Sequence, residues 1–389
     1  MAADQQPSAG QRDSERDDER MTRMFRTFAE REFVGSSEVY TRLSAAIVER
    51  PDLADPLYAA PPRQRRAILY FAAAQYLLRT SATGHRLSEY LPVLGGTREP
   101  DDGLVPAFAD LVSRYGPELG ELCASRTTQT NEPLRAALLR PAFGLVARLL
   151  GDRPVGLVEL GTSAGLLLLA DRYGYRYTGP SGVRRVGRAD PPHPLLLDCE
   201  VRGEQCPEYL DDSPLIASRT GIDLHPVEVD DPDQVTWLRS CIWPEHVERL
   251  ARLDAALGEA REVRPPLIAG DMVGALPEVL AGVSAVPLVF SSNATTYLPS
   301  AAQDELVRVL DAEGRRRDLI LVVNEAAKCG ADLFTAGVPA PTAQAIGTLT
   351  VVAWLDGQPT VEVLARTGPH GSWLSWQPQR YRYAPPALG

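Results

Sequence analysis

Cysteine is sparse and scattered in this chain: Cys123, Cys199, Cys206, Cys241 and Cys329 make an odd five in 389 residues and form no C-x-x-C pair. That spacing excludes a disulfide framework and a cysteine-built zinc site. The five histidines, His85, His193, His225, His246 and His370, share no metal-ligand spacing on a helix, so no metal is expected. Basic charge is in deficit too, with 40 Lys and Arg against 51 Asp and Glu and a net charge of −11. Such a balance lacks the footprint of a polyanion binder, and nucleic acid is not an expected partner. The opening stretch MAADQQPSAGQRDSERDDER has no apolar run. Neither a signal peptide nor a membrane anchor is expected of it, and a reducing cytoplasm is the expected setting.

What is present suffices for a large core, since 44% of residues are hydrophobic and 23% charged, near the globular norm. Residues 1–20 alternate acids with arginines and offer little to bury, so a disordered tail is expected there. Over 21–150 the apolar residues recur at helical spacing, as in Val39, Leu43 and Ile47, with Ser37, Pro61, Pro62 and Pro133 as helix punctuation. This stretch reads as an N-terminal all-helical module.

The texture changes at Val155. Seven short apolar runs, VGLVEL, LIASRTGIDL, PPLIAG, VPLVFSS, LILVVNE, TLTVVAWL and TVEVLART, alternate with helical segments. That alternation predicts an α/β domain over 151–389, with a Rossmann-like, mostly parallel seven-stranded sheet. The DGQP turn predicts a hairpin between the last two runs, forming one antiparallel edge. Residues 176–214 break the alternation and read as an insertion, with a hairpin of YRYTG and LLLDCEV.

One loop carries chemistry. VGLVELGTSAGLLLLADRY reads as strand, Gly-rich turn and helix, and in open α/β sheets such a turn brings backbone amides and a helix N-terminus to a ligand. As E-x-G-x-S-x-G it has Glu159 closing the strand and Gly161, Ser163 and Gly165 in the turn; Ser163 stands where a third glycine is usual. As G-x-S-x-G the same residues spell a hydrolase elbow, to be completed by an Asp in the 310s to 350s and His370. Asp223 and Asp271 close the next two runs, as acceptors for a nucleotide-like ligand or as plain turn caps. VPLVFSSNATTYLP ends in a polar cluster of Ser291, Ser292, Asn293, Thr295, Thr296 and Tyr297 that should face a pocket. Asn293 and Tyr297 are candidates for catalysis there, and Ser292 and Thr295 for substrate binding. Asn324 and Glu325 close LILVVNE, Glu325 as a catalytic base or a helix cap. In RTTQTNEPLR, the residues Arg126, Gln129, Asn131 and Glu132 form a polar run that lines a cleft or remains a solvated loop.

The segments QTNEPLRAALLRPAF, LVELGTSAGLLLLADRYGYRY, GIDLHPVEVDDPDQVTWLRSCIWPEHVERL and PHGSWLSW resemble the actinobacterial domain-of-unknown-function 2332 family. The resemblance implies a fold like class I S-adenosylmethionine-dependent methyltransferases, a role in specialised metabolism and no assigned reaction. Two positions depart from the family's habit: Leu167 stands where an Asn is common, and SSNATTYL replaces a His-containing strand end. Three functions are expected as alternatives. In the first, S-adenosylmethionine is held by Glu159, Gly161, Ser163, Gly165, Asp223 and Asp271 and methylates a small molecule. In the second, an enzyme on the same fold works without cofactor and expels sulfate or phosphate in an elimination or ring closure. In the third, the chain is a non-catalytic subunit; its association with like or unlike chains stays open.

Overall fold

The computed structural model describes residues 9–188, 195–339 and 345–388. Its helices are α1 (Ala9–Thr27), α2 (Glu38–Glu49), α3 (Ala67–Arg79), α4 (Leu104–Ser125), α5 (Arg135–Leu150), α6 (Pro232–Ser240), α7 (Val247–Val263), α8 (Leu276–Gly282) and α9 (Ser300–Arg316). The chain divides into a unit of residues up to Thr130 with Pro232–Ala251, and a unit of Asn131–Asp231 with Arg252–Gly389.

The first unit is helical. Ser37 caps α2 by accepting the Tyr40 amide at 3.2 Å, and α4 kinks at Tyr115 ahead of Pro117, whose missing N–H breaks the ladder. Its core is aromatic: Tyr40 stacks on Phe71 at 4.4 Å and Phe33 meets Trp243 edge-on at 4.8 Å. The disordered tail expected over 1–20 is helical from Ala9, because its acids have partners: Asp17 pairs with Arg65 at 2.9 Å and Asp18 accepts from the Tyr58 hydroxyl. Residues 1–8 lie outside the described residues. The segment DQVTWLRSCIWPEHVERLARLDAAL forms two helices, α6 and α7, parted around Pro244. The expected helical module also ran to 150, whereas α5 belongs to the second unit.

The second unit is α/β. All seven expected runs are strands: β1 (Val155–Leu160), β5 (Ile216–Asp223), β6 (Leu267–Ala269), β7 (Val286–Ser292), β8 (Leu319–Glu325), β9 (Gly347–Leu355) and β10 (Gln358–Thr367). Four more join them, β2 (Gly174–Gly179), β3 (Gly182–Gly187), β4 (Leu196–Arg202) and β11 (Trp373–Tyr381), so the sheet has eleven strands rather than seven. Their order is β3-β2-β4-β11-β10-β9-β8-β7-β1-β5-β6. The expected hairpin of β9 and β10 is not an edge but part of an internal antiparallel block from β8 to β11, and the antiparallel edge is formed by β3 on β2 instead. In the insertion, YRYTG pairs antiparallel with GVRRVG, and its pairing with LLDCEVR is parallel. The hairpin lies one run earlier than expected because Gly179, Pro180, Ser181 and Gly182 turn the chain first.

Strands β1, β7 and β8 are buried on both faces, which is why they read as unbroken apolar runs. Val158, Val289, Leu321 and Trp354 face α8 and α9. The other face includes Phe290, which meets Phe143 of α5 edge-on at 5.4 Å. After the insertion strands β2 to β4, laid at the far side of the sheet, the chain places β5 and β6 on one side of β1 and then β7 and β8 on the other. The strand order therefore reverses between β1 and β7, and the crevice outside their carboxyl ends is where open α/β sheets bind ligands.

Candidate functional site at the carboxyl ends of the central strands

The turn after β1 has the backbone its sequence calls for. Gly161, Ser163 and Gly165 are all left-handed, with φ of 75°, 51° and 72°. Ser163 thus holds a conformation that costs an L-residue roughly 1–2 kcal/mol. In place of the expected α-helix the chain then forms a six-residue 3-10 turn, Leu167–Arg172, so the α-helix N-terminus expected to follow the loop is not formed.

The groups expected to meet a cofactor meet one another. Glu159 is buried beneath the turn, with Oε2 accepting the Thr162 hydroxyl at 2.7 Å. Burial pushes its carboxyl up to about 8, the charge of Asp223 adds to the rise, and the Thr162 hydroxyl and the charge of Arg135 oppose it. The amides of Gly161 and Thr162 donate to Ile222 O at 2.8 and 3.2 Å, and that of Gly165 to Thr162 O at 2.9 Å. Asp223 accepts the Ser163 amide on Oδ2 at 2.8 Å and the His225 amide on Oδ1 at 2.9 Å. Ser163 O accepts from Val227 N at 3.0 Å. A Cβ on Gly161 would lie 2.3 Å from that of Ala294, so this glycine serves the close approach of the chain after β7. Asp271 is a turn cap, taking the amides of Val273 and Gly274 at 3.1 and 2.8 Å. With Glu159 covered, Asp223 holding two amides and the loop amides donating inward, these residues do not fit S-adenosylmethionine as they stand. The same satisfied amides leave the loop little with which to hold an anion.

The ends of β7 and β8 are arranged differently. Glu325 is fully buried. Its Oε1 accepts three donors, the Ser291 hydroxyl at 2.6 Å and the amides of Ala294 and Thr295 at 2.8 and 3.2 Å. Its Oε2 has no partner among the described residues. Burial raises this carboxyl above its ordinary value, while the three donors and the charge of Arg135 work against the rise. Beside it Asn324 bridges the Ser292 and Thr367 hydroxyls, giving its Nδ2 to the first at 3.1 Å and accepting the second at 2.8 Å. Thr295 passes its hydroxyl to Cys329 O at 2.6 Å. Asn293, left-handed at φ 56°, donates its amide to Asn324 O at 3.1 Å. Tyr297, 71% exposed, stands outside this network.

The polar run divides between the units. Arg126 pairs with Asp233 and lies over the rings of Tyr76 and Trp237 at 5.7 and 5.6 Å, and the Gln129 main chain hydrogen-bonds the Cys241 thiol; both belong to the helical unit. Asn131 reaches Thr162 O at 3.4 Å, and Glu132 accepts Leu134 N and Arg252 Nε at 3.1 and 3.2 Å, in the α/β unit. Ser163 and His370 come after β1 and β10, four strands apart and therefore about 19 Å laterally. His370 lies in a turn packed on Leu134 through Gly371, so the hydrolase triad is not assembled. Sequence reasoning missed Arg135, which is buried and gives Nη1 to Ser292 O at 3.1 Å. Its signal was charge inside an apolar run, Arg135 and Arg140 in RAALLRPAF. Among the described residues no group of His, Cys, Asp or Glu could hold a metal, and no helix is long and apolar enough to cross a membrane.

A family model described as "Uncharacterized protein conserved in bacteria (DUF2332)" matches residues 22–376. The chain belongs to the DUF2332 family. Among solved structures this DUF2332 chain is similar to the CcbJ methyltransferase from Streptomyces caelestis, at 17% identity over 66% of this chain and 76% of that one, with a TM-score of 0.22. It is also similar to an S-adenosylmethionine-dependent methyltransferase from Clostridium acetobutylicum ATCC 824, at 10% identity over 72% and 82%, with a TM-score of 0.23. TM-scores of this size leave the topology and chemistry to be argued from the sheet itself. No curated protein matches the chain.

Proposed function

We propose that the chain is a small-molecule enzyme working at the carboxyl ends of β7 and β8 without S-adenosylmethionine, by an elimination or ring closure that expels an anionic group such as sulfate or phosphate. Glu325 takes the proton from a C–H or N–H of the substrate. The freed electron pair closes the new bond at the carbon bearing the leaving group, and the C–O bond breaks with its electrons leaving on the anion. The observation that carries this reading is Glu325 Oε2, buried and without a partner among the described residues while Oε1 holds three donors. An unmet buried acceptor costs about 1–3 kcal/mol, and a carboxyl raised by burial moves toward the range where a general base works near neutrality. The positive charge of Arg135 stands by to favour an anion.

Methyl transfer from S-adenosylmethionine is the second reading, favoured by the three left-handed positions at 161, 163 and 165. It requires Asp223 to give up a loop amide. Incubation with alkyl sulfate and phosphate esters, with and without S-adenosylmethionine, separates the two. Anion release that ignores S-adenosylmethionine and is lost in Glu325→Gln supports the first; calorimetric binding of S-adenosylmethionine with transfer of its methyl group replaces it by the second.

A further inference from the structure

In the helical unit, away from the strand ends, a cavity of about 420 Å3 opens between α1 and the start of α3, within the roughly 300–1,000 Å3 of small-molecule sites. Its apolar lining is Met21, Met24, Phe28 and Ile68. Phe28 opens a π-helical turn, Phe28–Glu32, a wide turn often found where helices serve a site. The rim is cationic. Arg65 is spoken for by Asp17 at 2.9 Å and by the carbonyls of Ala60 and Tyr58. Arg20, Arg63 and Arg66 have no hydrogen-bond or ion-pair partner among the described residues, only the charge of Glu32 opposite Arg66. In a chain of net charge −11, arginines such as Arg126, Arg172 and Arg148 end on carboxylates, so Arg20, Arg63 and Arg66 around one apolar hollow, with no hydrogen-bonded carboxylate among the described residues, are a local reversal of sign.

We infer that this cavity binds an anionic amphiphile, with an alkyl or aryl tail among Met21, Met24, Phe28 and Ile68 and a carboxylate or phosphate head on Arg63 and Arg66. The flexible methionines suit tails of varied shape, and guanidiniums suit a planar or tetrahedral oxyanion. The site is independent of the elimination reading. The test is calorimetric titration of the full chain with decanoate and with decyltrimethylammonium, which has the same tail and the opposite charge. Saturable one-to-one binding of decanoate alone is expected, weakened tenfold or more in the double variant Arg63→Glu, Arg66→Glu and in Met24→Glu, each with unchanged far-ultraviolet circular dichroism. Equal binding of both amphiphiles, no binding of decanoate, or affinity untouched by the arginine substitutions overturns the proposal. Flotation with phosphatidylglycerol vesicles names the source: arginine-dependent co-flotation alongside decanoate binding assigns a lipid, and its absence assigns a free amphiphile.

Discussion

The turn after β1 and the ends of β7 and β8 lie side by side in the sheet, yet their polar groups are handled in opposite ways. In the turn, groups that a ligand was expected to use are met from within: Glu159 by Thr162, Asp223 by two amides, Ser163 O by Val227. At the β7 and β8 ends, three donors converge on one oxygen of Glu325 and the other has no partner among the described residues. A recognisable motif can thus be a joint that satisfies itself, while the carboxylate with an oxygen to spare among the described residues sits two strands away, at the end of β8.

The largest expected effect is in the turn and depends on pH. Glu159 has its folded value raised from 4.5 to about 8, so its stabilising contribution is fully present below pH 4.5 and is lost as pH rises through 8. The loss amounts to on the order of 5 kcal/mol. Thermal unfolding from pH 5 to 8.5 should fall more steeply for the native chain than for Glu159→Gln, and parallel curves would mean that Glu159 is not a protonated brace. Next in size, Glu325→Gln should lower anion release by about 10²- to 10⁴-fold, as for loss of a general base, with little change in melting temperature. Retained turnover there would return the site to the turn. Gly161→Ala should destabilise by about 2–4 kcal/mol in urea titration, through left-handed strain and overpacking on Ala294. Thr162→Val removes the hydroxyl on Glu159 and should cost about 1–2 kcal/mol. Tyr297→Phe, on an exposed ring, should change stability by less than about 0.5 kcal/mol; a large drop in turnover instead would put that ring in the reaction.

Much of the fold was legible because apolar runs bounded by turn residues report burial directly. The runs from VGLVEL to TVEVLART are all strands, and the left-handed Asp356 and Gly357 close the hairpin that DGQP announces. The extra strands were not legible for a physical reason. GVRRVG is exposed along most of its length, and WLSWQPQRY carries a proline where a ladder strand seldom has one, so neither has the apolar signature that marks the others. LLLLADRY reads as a helix by composition, yet it forms a short 3-10 turn whose carbonyls at Leu166 and Ala170 receive the hydroxyls of Tyr173 and Tyr175. The acids of the tail looked unpartnered because Arg65 and Tyr58, which hold them, lie about forty residues on.

The sequence by itself determined the α/β plan of the second unit, the helical plan of the first, the left-handed turn at 161–165 and the candidacy of Glu325. These arise from periodicity, from glycine's conformational freedom and from strand ends, all properties of neighbouring residues. Which polar groups remain available was decided only by the tertiary structure. Asp223 comes to Ser163 across 60 positions of chain, Glu325 meets Ser291 across 34, and Arg135 reaches Ser292 across 157. A hydrogen bond between distant segments is set by the pairing of the sheet, and local pattern carries no record of it.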